Sequence, residues 1–222
     1  STAGTWERGE QFDFSLNWQG SMARADTDTV LTWFQRKADL QYILFMPMLP
    51  NFPSTYYPVS NVEVKGVELS HSMKWERLGL TLAGTWQKAE YSDTALNHVG
   101  VKQGVTMTPE WVFNVRLDYL FPGDKLSSFV EYNYTDEQSI DGGYQGAGQV
   151  DKTYSNWLSK LSTVDAGLKY VFDKHWKLDF GVNDIFNQGY KQGVGSKSGN
   201  WLETGPYPLA GRMYYTTLEY RF

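Results

Sequence analysis

The residues with the most obvious chemical capacity do not assemble into a catalytic or metal-binding pattern. The 222-residue sequence holds three histidines, His71, His98 and His175, far apart and next to different features. With no cysteine beside them, thiolate metal sites and a disulfide framework are excluded. Serines and aspartates are plentiful, yet no nucleophile is framed by an elbow or a triad order. The glycines of GYQGAGQ at 143–149 lack the strand-to-helix context of a phosphate loop and read as an external loop. The sequence therefore predicts no enzyme and no resident cofactor. Better candidates are rings with polar tips: Tyr56 and Tyr57 in a proline-bearing stretch with Met46, Met48 and Phe52, and Trp201 and Tyr207 near glycines and lysines. Such side chains can pack on a bulky chelate and hydrogen-bond its periphery, or pack loop against loop.

The elements that would carry these residues are strands. Charges of both signs are scattered along the chain for a net of -5, which argues against a nucleic-acid surface. No eighteen-residue apolar run offers a membrane helix; the longest apolar patch, YILFMPMLP at 42–50, is broken by proline. Period-two alternation dominates instead. WVFNVRLDYLF sets Trp111, Phe113, Val115, Leu117, Tyr119 and Phe121 against Asn114, Arg116 and Asp118, and WKLDFGV sets Trp176, Leu178, Phe180 and Val182 against Lys177 and Asp179. Nine such strands are predicted near 9–19, 26–37, 62–76, 77–90, 109–121, 125–136, 161–173, 175–187 and 210–222. Ten or so residues per strand suits a tilted bilayer crossing better than an ordinary sheet.

Connection lengths and ring positions agree. Short turns at Gly20–Ala25, Glu76–Arg77, Pro122–Asp124 and Asp173–Lys174 alternate with long connections over 38–61, 91–108, 137–160 and 188–209. Antiparallel strands crossing an outer membrane do this, with short turns in the periplasm and long loops outside. Trp18, Trp75, Phe121, Phe172, Trp176 and Phe222 lie by the short turns or the chain end, and Trp86, Trp111, Tyr134 and Phe186 toward the long loops, as two interfacial belts. Asp13, Glu68, Lys74, Arg116, Asp118, Glu131, Asp165, Lys169, Lys177 and Asp179 lie opposite the apolar stripes and are predicted to face the barrel interior. An odd number of crossings from a periplasmic Phe222 places residue 1 outside.

Three segments then carry a family resemblance: SNVEVKGVELSHSMKW at 60–75 with Asn61, Gly66 and Glu68, GVNDIFNQGY at 181–190 with Asn183, Asp184, Phe186 and Tyr190, and YPLAGRMYYTTLEYRF at 207–222 with Gly211, Arg212 and Phe222. In this order they resemble the end of a TonB-dependent outer-membrane receptor. The resemblance implies an all-β transmembrane antiparallel barrel of about 22 strands, of which residues 1–222 are the carboxyl-terminal nine. It implies a plug domain and TonB box, both absent from this chain, and partners in the remaining strands, outer-membrane lipid and the TonB-ExbB-ExbD complex. Its function would be active uptake of a scarce solute, foremost a ferric siderophore, in the outer membrane of a Gram-negative bacterium. Lipopolysaccharide or Ca²⁺ are candidates on the outside. A small passive porin-like or adhesin barrel is the alternative, and would close from this chain alone with an even strand number. A soluble carbohydrate-binding sheet would instead expose no continuous apolar band.

Overall fold

The computed structural model describes residues 8–39, 41–45, 55–59, 62–91, 103–104, 108–139, 157–188, 192–193 and 211–222. Nine long strands follow one another: β1 Arg8–Met22, β2 Ala25–Asp39, β3 Val62–Lys74, β4 Leu78–Tyr91, β5 Trp111–Leu120, β6 Leu126–Thr135, β7 Leu161–Val171, β8 Trp176–Asn183 and β9 Met213–Tyr220. Each pairs antiparallel with the next in chain order. β1 and β9 have one long neighbour each, so among the described residues the sheet is open at both sides.

Alternation dictates the faces, because residues opposite in register point the same way. The row Leu16, Leu31, Leu69, Gly84 and Phe113 crosses five strands on the apolar face, and Leu168, Phe180 and Thr216 continue that face. This face holds most of the exposed large side chains, with Phe12 at 61%, Leu16 at 57% and Leu218 at 60%. A water-soluble single sheet would have to cover that band, whereas in a barrel it meets lipid.

The rings sort by height. At the short-turn end, Tyr119–Phe121, Tyr170–Phe172 and Tyr220–Phe222 repeat one edge-to-face arrangement with centroids 4.8–5.1 Å apart, and Trp176 packs on Tyr220 at 4.7 Å. Toward the other end lie Trp86 with Trp111 and Phe113 with Tyr134.

The short turns are tied sideways as well as along the chain. The Trp75 indole N–H donates to the Ala23 carbonyl at 3.0 Å. The Arg77 guanidinium reaches the Phe121 carbonyl at 3.0 Å and the Asp124 carboxylate at 2.9 Å. Lys125 donates to the Phe172 carbonyl at 3.3 Å, and the His175 ring to the Arg221 carbonyl at 2.9 Å. In the last turn, the Asp173 carboxylate accepts the backbone N–H groups of His175 and Trp176, which hold it below the usual carboxylate range.

Several predicted boundaries move. β1 runs on to Met22 and pairs with Ala25, leaving a two-residue turn at Ala23 and Arg24, both at positive φ. β8 stops at Asn183 rather than 187, because Asp184 and Asn187 take positive φ and the Asn187 N–H closes a turn on the Asp184 carbonyl. The connection 38–61, expected as loop, contains a hairpin of Gln41–Phe45 with Thr55–Val59. Short pieces at Gln138–Ser139, Trp157–Leu158 and Gln192–Gly193 form a second small sheet. Residue 1 lies outside the described residues.

Candidate functional site: the polar face of the sheet

The face opposite the apolar band is ordered in rows. One row runs Asp28, Ser72, Thr81, Arg116, Glu131 and Asp165 through successive strands. Arg116 is its centre. Its Nε and Nη2 donate to Asp118 at 2.9–3.1 Å, its Nη1 donates to Glu131 at 3.2 Å, and its guanidinium lies 3.9 Å above the Phe129 ring. One cation thus holds two carboxylates and stacks on a ring, a use for which a planar guanidinium suits better than an ammonium. The cluster keeps one net negative charge.

The next row toward the short turns is Phe129, Gly167, Gly181 and Tyr215. Both rings lie over the glycines: a Cβ on Gly167 would meet Phe129 Cε1 at 2.4 Å, and one on Gly181 would meet Tyr215 Cζ at 2.1 Å. Phe34 covers Gly66 in the same way, with Arg36 4.9 Å above its ring. The polar face therefore carries flat aromatic patches, two of them under arginines.

Asp165 fastens the far end of β8. One oxygen accepts the Asp184 N–H at 2.7 Å, and the other accepts from the Asn133 amide at 3.1 Å. Asp184, itself buried, accepts the Gln188 N–H at 2.9 Å, and Asn187 Oδ1 accepts the Arg212 N–H at 2.9 Å. The NDIFN segment thus grips both ends of the last long connection.

Of the interior-facing residues read from sequence, the structure brings Arg116, Asp118 and Glu131 into one cluster. Lys169 and Asp179 stand directly opposite each other in register. Glu68 stands apart, between Thr32 and Thr85. Asp13, Lys74, Asp165 and Lys177 share the polar face with these six, the face a barrel turns inward. Tyr56 and Tyr57 belong to the strand Thr55–Val59, and their side chains lie outside the described residues, as do Trp201 and Tyr207. His98 lies outside as well, while His71 bonds Thr29 on the apolar face at 2.8 Å. Among the described residues no group of histidines and acids could hold a metal ion. Sequence reasoning missed Phe129, although its parity with Glu131 puts it on the polar face.

An open sheet with one lipid-matched face and one charged face is part of the wall of an outer-membrane β-barrel. Residues 2–185 match the family described as "TonB dependent receptor-like, beta-barrel", and the chain belongs to that family. It is a multi-pass segment of the outer membrane. Comparison with curated protein sequences gives no match. Among solved structures, the copper transporter OprC superposes with a TM-score of 0.71 at 16% identity, over 97% of this chain and 31% of that one. The siderophore receptor PirA from Acinetobacter baumannii gives 0.67 at 16%, over 97% and 32%. The ferric enterobactin receptor from Pseudomonas aeruginosa, in complex with enterobactin, gives 0.67 at 19%, over 96% and 31%. The chain thus spans about a third of the length of these relatives.

Proposed function

We propose that this chain forms the carboxyl-terminal nine strands of the barrel of a TonB-dependent receptor that imports a metal chelate, foremost a ferric siderophore. In this reading the barrel has about 22 strands, a plug domain from the rest of the receptor fills the lumen, and the TonB-ExbB-ExbD complex supplies the work. The observation that carries it is the family match over residues 2–185, joined to a sheet whose first and last long strands have one long neighbour each among the described residues. Siderophore receptors and a copper transporter stand among the structural relatives, which supports a metal or its chelate as cargo. The Arg116 cluster and the aromatic patches offer polar and ring contacts to the plug and the solute path, and Tyr56, Tyr57, Trp201 and Tyr207 are assigned to solute contact at the outer mouth.

The test is transport in the host. Cells lacking the gene that encodes this chain are supplied with radiolabelled iron on a panel of ferric siderophores, with TonB intact or inactivated. The expected result is loss of uptake of a particular chelate both on deletion and on TonB inactivation. Uptake through this protein that persists without TonB would identify a passive pore and overturn the reading.

A further inference from the structure

Two kinds of join alternate along the nine long strands. The pairs β1–β2, β3–β4, β5–β6 and β7–β8 are connected by short turns, whose geometry fixes which residue faces which. The pairs β2–β3, β4–β5, β6–β7 and β8–β9 are connected over 40–61, 92–110, 136–160 and 184–212, lengths that leave register free. Two of these registers carry on beyond the wall, at Gln41 with Val59 and Gln138 with Leu158, yet 46–54 and 140–156 still part their strands. Alternation guards against only one kind of error. A slip of one residue turns the apolar set to the wrong face, but a slip of two restores both faces and shifts the strand by roughly 6.6 Å.

In all four pairs with long connections, and in none of those with short turns, an aromatic residue stands directly opposite a glycine. The pairs are Phe34 with Gly66, Phe113 with Gly84, Phe129 with Gly167 and Tyr215 with Gly181. In three of them the ring lies over the glycine, in the space a side chain would take. An added Cβ would come within 2.7 Å of Phe34 Cζ, 2.4 Å of Phe129 Cε1 and 2.1 Å of Tyr215 Cζ. At Gly84 the obstacle is the Cβ of Phe113 itself, at 2.9 Å, while its ring leans onto Tyr134. Slipped by two, the three rings would each face a side chain: Phe34 would face Val64 or Glu68, Phe129 Asp165 or Lys169, and Tyr215 Asp179 or Asn183.

We propose that these aromatic–glycine pairs are register keys. Each admits its strand in one alignment, at a join where no turn does so. A ring packed across the ladder on the bare backbone of a glycine stabilises that one pairing, and the same ring meets a longer side chain in either two-residue slip. Three keys lie on the polar face and one on the apolar face, so neither lipid nor the contents of the lumen accounts for the set. The keys act while the wall forms, and they are independent of which solute the receptor imports.

The test uses the complete receptor, with paired cysteines reading the β8–β9 alignment in membranes. Phe180→Cys with Thr216→Cys reports the native register, and Phe180→Cys with Tyr214→Cys or Leu218→Cys reports the two slips. Residues directly opposite lie within disulfide reach, and those two positions away do not. Disulfides are formed before solubilisation and counted against total receptor, so slipped chains that never fold are scored too. Tyr215→Ala should raise the slipped products about tenfold, the worth of the lost ring burial. Tyr215→Phe should leave them at the wild-type level. Gly181→Phe with Tyr215→Gly, which exchanges ring and gap between the strands, should return them there. Trp176→Ala removes a ring of the same join that has no glycine opposite, and should leave the register unchanged. Slipped products at the wild-type level in Tyr215→Ala, equally raised in Trp176→Ala, or undiminished in the exchanged pair would overturn the proposal.

Discussion

Arg116 and Leu80 stand for the two chemical regimes of this wall. Arg116 has two carboxylates and a ring for company, on a face where water or polypeptide can solvate the remainder. Leu80, opposite Met73 and Leu117, has neighbours with nothing to offer a charge. Replacing Leu80, Val115 or Leu178 with arginine should destabilise the receptor by about 2–4 kcal/mol near the bilayer midplane, less toward either interface. Asp179→Asn, on the other face, should be milder. Unfolding in detergent, followed by heat-modifiable gel migration, measures both; equal tolerance would sink the assignment of faces. This much was legible in the sequence, because a period of two sorts residues onto faces whether or not the strand ends are known. The ring beneath Arg116 was harder to see, because rings on strands are read first as belt or core, and Phe129 is neither.

At the scale of elements, two glycines on the polar face look alike in sequence and differ in what blocks them. A Cβ on Gly66 would lie 2.2 Å from the Trp86 carbonyl oxygen, a backbone atom that cannot step aside without disturbing the β3–β4 ladder. The three atoms nearest a Cβ on Gly181 all belong to the phenol of Tyr215, the far end of a flexible and partly exposed side chain. Gly66→Ala should therefore cost about 1–3 kcal/mol, in the range of overpacking, and Gly181→Ala clearly less. Chemical denaturation of the detergent-solubilised receptor would register the difference; identical losses would mean that the obstruction at Gly181 is also rigid. Turns were where reading from sequence fell short. A two-residue hairpin turn with both residues at positive φ normally announces itself with asparagine and glycine, and Ala23–Arg24 gives no such sign. The prolines between Pro47 and Pro58 hid the hairpin Gln41–Phe45 with Thr55–Val59, since Pro58 sits within a strand that only an edge position tolerates. The turn after Asn183 looks like more strand in the sequence because Ile185 and Phe186 continue its apolar pattern, while a deciding bond comes from Asp165, nineteen residues away.

At the scale of the whole molecule, the nine long strands among the described residues form one sheet whose first and last members have one long neighbour each. Among the described residues β1, 15 residues long, pairs on one side only, and an unpaired strand side is a template for pairing that a closed barrel covers with further strands. Residues 1–222 expressed alone and refolded in detergent should show strand signal by circular dichroism but no heat-modifiable band, whereas the complete receptor should give one. A resistant, closed monomer from this chain alone would revive the small passive barrel. Trp75, Arg77, Lys125 and His175 lash the turns and the carboxyl-terminal strand end together at one rim. Each tie crosses from one turn to the next, so this rim is laced along its length by side chains as well as by the strand ladder.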